Sequence, residues 1–171
     1  MNNKKYVRLS GIIYESMVNG TGIRRVIFAQ GCIHNCKGCF NPETHPLQGG
    51  ELVDMNQLIE DVVSNPMLTG VTFSGGDPFE QAKEFAYIAR EIKNSGKDIW
   101  CYTGYTFEDI IKNLKIREGW EELLYNIDVL IDGKFEKEKI DKKIKYRGST
   151  NQRIIDVKNS LNEGKVLEKE I

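Results

Sequence analysis

The chain has no apolar run approaching the ~20 residues that a membrane-spanning helix needs. Its opening stretch, MNNKKYVRLSG, has no apolar run long enough for a secretory signal, so a cytosolic setting is expected. An excess of one charge is also missing. Lys and Arg number 24 against 25 Asp and Glu, for a formal net charge of −1, which points to neither a nucleic acid nor an anionic membrane as partner. The one Lys-rich stretch, EKEKIDKKIKYR at 136–147, reads as a solvated face. No internal repeat, low-complexity tract or linker rich in Pro, Gly or Ser divides the 171 residues, 40% of them hydrophobic. Residues 1–171 are therefore expected to form a single domain with enough core to fold without disulfide support. Cysteine is scarce, four residues in all, yet three of them lie in GCIHNCKGC at 31–39. In a reducing compartment such a cluster speaks for metal or redox chemistry before disulfides.

Extended runs are expected at 7–14 and 25–29, parted by the turn-forming NGTG, so the cysteines follow directly on a strand. NPETHPLQGG at 41–50 is turn chemistry. Behind Asp54 as a cap, Met55, Leu58, Ile59, Val62 and Val63 repeat at helical spacing. GVTFSGGDP is a short strand broken by glycines. In the stretch 79–96, Phe79, Ala82, Phe85, Ala86, Ala89 and Ile92 share one helical face, and Gly96 stands where that helix ends. KDIWCYTGY is a strand and turn, TFEDIIKNL and EGWEELLYN are helical, and IDVLIDG and QRIIDV are further strands. Strand, loop and helix thus alternate. That order predicts an α/β fold with a mostly parallel sheet, joined by right-handed crossovers. A closed eight-fold barrel takes ~250 residues, so this chain is expected to form a partial, open β/α barrel. In such folds functional groups gather at the carboxyl ends of the strands, where the cysteine loop, SGGDP, YTGY and DGKF all fall.

Cys32, Cys36 and Cys39 are spaced C-x3-C-x2-C. Structural zinc takes four ligands, commonly from two separated pairs, and no second C-x2-C pair exists; His34 or His45 would have to complete the set, although both read as solvated loop residues. A 4Fe-4S cluster usually takes four thiolates. Cys101, the only other cysteine, lies among bulky residues in IWCYT and reads as a small buried thiol. The two glycines of SGGDP allow backbone to approach a ligand closely, and Asp77 is either a charge for an ammonium group or the cap of the helix that follows. Trp100 and Trp120 read as packing residues.

The cysteine spacing after a strand, followed by SGGDP after the next, resembles the radical S-adenosylmethionine enzymes. The resemblance implies a radical SAM fold and one 4Fe-4S cluster. Cys32, Cys36 and Cys39 would hold three irons, and the fourth iron would bind the amino and carboxylate groups of S-adenosyl-L-methionine. Reductive cleavage of that cosubstrate yields a 5'-deoxyadenosyl radical in this family. By the same resemblance Gly75, Gly76 and Asp77 would contact the methionine end, and Gly38, Cys39 and Phe40 would line the adenine site; Thr103 and Gly104 would touch the ribose or methionine, with a plain turn into the helix at Thr106 as an equal alternative. The family usually has an aromatic residue before the third cysteine, whereas here Gly38 precedes it and Phe40 follows.

More narrowly, NGTGIRRVIFAQGC, CKGCFNPET, SGGDP, WCYTGYTFEDI, DVLIDGKF and RGSTNQRIID occur in the order seen in activating proteins of anaerobic, class III ribonucleotide reductases. That implies an enzyme whose substrate is a protein: hydrogen is abstracted from a glycine of the reductase, leaving a glycyl radical, with a flavodoxin as the implied electron donor. Asp132 would then lie near the cosubstrate, and Arg147 or Asn151 at the reductase contact; for Arg147 a surface ion pair or a backbone-bonding role is an equal alternative. The rival readings are an activase of the pyruvate formate-lyase type, a small-molecule enzyme such as 7-carboxy-7-deazaguanine synthase, an iron-sulfur electron carrier and a zinc module.

Overall fold

The structure, a computed structural model, describes residues 5–171. The sequence opens with a hairpin. β1 (Tyr6–Ser16) runs antiparallel to β2 (Arg24–Ala29), with Leu9 opposite Ala29 and Ser16 opposite Arg24. β3 (Glu51–Asp54) pairs antiparallel with the start of β1, Tyr6 opposite Asp54. The remaining strands are β4 (Gly70–Gly75), β5 (Asp98–Tyr102), β6 (Val129–Asp132) and β7 (Arg153–Asp156). They build one seven-stranded sheet in the order β3-β1-β2-β4-β5-β6-β7. The parallel sheet expected from strand-helix alternation is found in its middle: β2, β4, β5 and β6 pair parallel, and β7 returns antiparallel on β6. Residues 51–54, which lie between the expected turn and the α1 cap and to which no strand was assigned, form the outermost strand on one side.

The helices are α1 (Met55–Val63), α2 (Ala82–Asn94), α3 (Phe107–Asn113), α4 (Trp120–Tyr125) and α5 (Val157–Glu163). Asp54 caps α1 as expected, its carboxylate accepting from Asn56 N and Gln57 N. The 79–96 stretch starts as a 3-10 turn over Pro78–Gln81 and becomes α-helical only at Ala82. α2 then buries Phe85, Ala86, Ile88, Ala89 and Ile92, and Phe85 meets Phe73 of β4 edge to face at 4.9 Å. Both faces of the central strands are covered, as parallel strands require. The larger core lies between the sheet and α1, α2 and α4, and a smaller one joins Trp100, Val129, Ile131 and Ile154 with Tyr102 and Tyr146. Trp100 and Trp120 are both buried, and the Trp120 indole donates to the Phe79 carbonyl. Among the described residues, no helix is long and apolar enough to cross a membrane.

The amino ends of the parallel strands are locked by Arg24, which is fully buried. Its guanidinium donates to Thr72 Oγ1, Val71 O and Thr21 O and lies over the Trp100 ring. It also forms a 2.6 Å ion pair with Asp98 Oδ1, although the two groups are not aligned as a hydrogen bond. Burial lowers the guanidinium pKa, and Asp98 opposes the shift. Gly20, at φ +132°, leaves the space, since a Cβ there would meet Arg24 Cδ at 2.7 Å. Arg24→Leu is expected to cost about 2–4 kcal/mol in chemical denaturation by stranding these acceptors. Arg24→Lys should recover little of it, because an ammonium cannot reproduce the planar fork.

Candidate metal centre

At the opposite end, the carboxyl ends of β2, β4, β5 and β6 converge on one cavity. It is lined by Cys32, Cys36 and Cys39 from the loop after β2, and by Ser74, Gly75, Gly76 and Asp77 at the end of β4. Tyr102, Thr103 and Gly104 contribute from β5, and Gly133 and Phe135 from beyond β6. This cavity continues into a groove of about 400 Å³ that shares Phe40, Asn41, Ser74, Tyr102, Phe135 and Gln152 and adds Val18, Tyr146 and Arg147.

Backbone pairing shapes the cysteine loop. Gly31 N donates to Thr44 O and Cys32 N to His45 O, so the segment leaving the cysteines folds back beside the segment entering them. Buried Gln30 holds that return, its amide donating to the carbonyls of Glu43 and Pro46. Cys39 N bonds to Cys36 O, and Asn41 N donates to Cys39 Sγ. The SGGDP backbone docks against the same loop, with Gly76 N on Ala29 O and Asp77 N on Gly31 O. A Cβ on Gly75 would meet Ala29 N at 2.5 Å, and one on Gly76 would meet Gly31 O at 2.4 Å. The two glycines therefore serve close approach to β2 and the cysteine loop as well as lining the cavity.

Cys32, Cys36 and Cys39 are unpaired and half-buried. Burial pushes the Cys32 thiol up to about 11, against a lowering hydrogen bond from the His34 backbone. A metal ligand must be the thiolate, and three unpaired thiols lining one cavity can supply it. Among the described residues, no three or more His, Cys, Asp or Glu side chains are grouped for a single metal ion. Cys101 is fully buried in β5, in register with Phe73 and Leu130, and burial raises its thiol pKa well above the ordinary value.

Of the other expected site residues, Phe40, Gly75, Gly76, Asp77 and Thr103 line the cavity together with Gly104. Gly38 is not among the residues lining this cavity, and a Cβ there would meet the Lys137 side chain. Phe40 is 68% exposed and packs on Phe135 with ring centroids 4.8 Å apart. Asp132 is buried and is not among the cavity-lining residues: it accepts from Phe107 N at the start of α3 and pairs with Arg153. Arg147 takes the backbone-bonding role, donating to Gln152 O, and Asn151 donates to Lys134 O.

The expectation of solvated histidines is overturned. His45 is half-buried against the cavity, and the His34 side chain is only 5% exposed. His34 Nε2 donates to Asp77 Oδ2 at 2.7 Å, because the loop turns this ring inward under the β5 end. Gln30 and Gln152 are further residues that the sequence reading missed. Gln152 receives Gly148 N and Ser149 N and donates to Gly133 O, holding the 147–152 loop against the cavity.

Three free thiols line a cavity at the head of a parallel sheet, and the family model described as a 4Fe-4S single cluster domain matches residues 18–155, which places the chain among the iron-sulfur proteins. The chain is 42% identical over 143 residues to the anaerobic ribonucleoside-triphosphate reductase-activating protein of Enterobacteria phage T4. Proteins of the same name from Vibrio cholerae and Escherichia coli (strain K12) are 37% and 32% identical. Each match covers 80% of this chain, and 86%, 89% and 90% of the respective relative. The chain belongs to the family of anaerobic ribonucleoside-triphosphate reductase-activating proteins.

Proposed function

We propose that this protein generates the glycyl radical of an anaerobic ribonucleoside-triphosphate reductase in the cytosol, and that its open sheet is the partial barrel of a radical SAM enzyme, formed by the whole chain as one domain. The observation that carries the reading is the meeting of three free cysteines with the SGGDP backbone in one cavity, while Cys101 is held away in β5. Cys32, Cys36 and Cys39 would hold three irons of a 4Fe-4S cluster, leaving the fourth free for the methionine end of S-adenosyl-L-methionine. Held by these three thiols and reduced, such a cluster would supply the electron for reductive cleavage of the sulfonium, the chemistry needed to abstract a hydrogen atom from one glycine of the reductase.

The chain's own part is placement. The backbone of Gly75 and Gly76 forms the cavity floor, and Phe40 with Phe135 supplies an aromatic wall for the nucleoside. The adjoining groove gives an extended segment a lateral way in, and holding its backbone at the reacting atom is worth much of the barrier. Glycine suits the step because it has no side chain to obstruct approach or flattening of the radical. A reduced donor protein supplies the electron, for which the family resemblance points to a flavodoxin.

The test is to incubate the reconstituted, reduced protein with S-adenosyl-L-methionine and an anaerobic reductase. A glycyl EPR doublet on the reductase with 5'-deoxyadenosine released is the expected result. Deoxyadenosine without the doublet would point to a different substrate, and neither product would reduce the protein to an electron carrier.

A further inference from the structure

We infer that His34 is a positioning residue that fixes the cysteine loop over the sheet by clamping onto Asp77, and that Gly104 exists to leave room for it. The inference rests on the proposed cluster site and concerns how this chain holds it.

The Asp77 carboxylate is 1% exposed, and its oxygens are already engaged. Oδ1 accepts from Phe79 N, Oδ2 accepts from Gly104 N and His34 Nε2, and the two oxygens share the single Thr103 hydroxyl proton. Asp77 therefore joins three strand ends: its own after β4, the 103–104 turn after β5 and, through His34, the loop after β2. With these donors in place it works as a hub between the loops rather than as a free carboxylate facing the cosubstrate.

His34 lies between Cys32 and Cys36, so its anchorage sets where both thiols stand. Two further contacts hold the ring: the edge of Tyr105 at a centroid distance of 4.4 Å, and the backbone of Gly104. A Cβ on Gly104 would come within 2.4 Å of His34 Cδ2 and 2.7 Å of Nε2. Gly104 does not have positive φ, so what requires glycine there is the space taken by the imidazole and not the backbone conformation. Two positions 70 residues apart thus fit one another, and partners of this kind behind a metal ligand orient it.

The inference is tested on the full chain, reconstituted anaerobically as His34→Ala, His34→Gln, Gly104→Ala and the His34→Ala/Gly104→Ala double variant. Two quantities are read: the half-life of the cluster absorption in an iron chelator, and the midpoint of the EPR change on adding S-adenosyl-L-methionine. His34→Ala and Gly104→Ala should each shorten the half-life and raise the midpoint roughly tenfold, the lower end of the effect of losing a residue that orients a metal ligand. His34→Gln should stay near wild type, because its amide can still donate to Asp77. The double variant should be no worse than His34→Ala alone, since removing the ring removes the clash. A His34→Ala protein with wild-type half-life and midpoint would overturn the inference. So would a Gly104→Ala effect that adds in full to His34→Ala. A wild-type cluster indifferent to S-adenosyl-L-methionine would instead sink the proposed function, and the chelator half-lives would still decide the role of His34.

Discussion

Alanine at Cys32, Cys36 or Cys39 is expected to leave a folded protein that retains essentially no 4Fe-4S cluster and cleaves no S-adenosyl-L-methionine, whereas Cys101→Ala keeps both. The three thiols are half-buried in the cavity wall and free of disulfides, so removing one deletes a ligand without opening the core. With only three cysteines available, no spare thiol can move in. Cys101 is different in kind. It is fully buried in β5, with its neighbours in register on β4 and β6, and desolvation keeps the thiol protonated. Its loss costs about 1–2 kcal/mol of packing and no iron. Iron and sulfide analysis after anaerobic reconstitution checks the series. Loss of the cluster from Cys101→Ala would show that the three-ligand assignment is wrong.

Asp77→Ala is expected to be the most damaging change outside the cysteines. The carboxylate is buried, and its removal leaves Phe79 N, Gly104 N and His34 Nε2 without their acceptor. Uncompensated donors in such a place cost about 3–5 kcal/mol in all, enough to lower the melting temperature by roughly 10 °C for a chain of this size. Because the same carboxylate ties the cysteine loop to the ends of β4 and β5, affinity for S-adenosyl-L-methionine should fall as well. Asp77→Asn keeps one acceptor oxygen and should lie between. Thermal melts of the three proteins, with cosubstrate titrations, test this. An Asp77→Ala protein with wild-type melting temperature would show that the hub is not stabilising.

The cysteine spacing, the glycines after β4 and the Asp54 cap were legible because each is a local signal, carried by residues within one turn or loop. The parallel middle of the sheet followed from strand-helix alternation for the same reason. Elements defined by distant partners were not. β3 is four residues long with Glu51 and Asp54 at its ends, and only its pairing with Tyr6 to Leu9 makes it a strand. α5 starts immediately after β7 at its cap Asp156, so its seven residues were hidden behind the apolar Ile154 and Ile155. His34 looked like one more polar residue in a polar loop, because its partner Asp77 lies 43 positions on and its niche at Gly104 further still. The strand-end position of Asp132 was legible, but its pairing with Arg153, one strand over, was not.

The measurement closest to the central claim is the EPR spectrum of the reduced, reconstituted protein before and after S-adenosyl-L-methionine is added. If Cys32, Cys36 and Cys39 leave one iron without a protein ligand, the signal changes on addition, and it changes in the same way in Cys101→Ala. A spectrum that stays the same at saturating cosubstrate would mean that all four irons are already held by the protein, and would contradict the account.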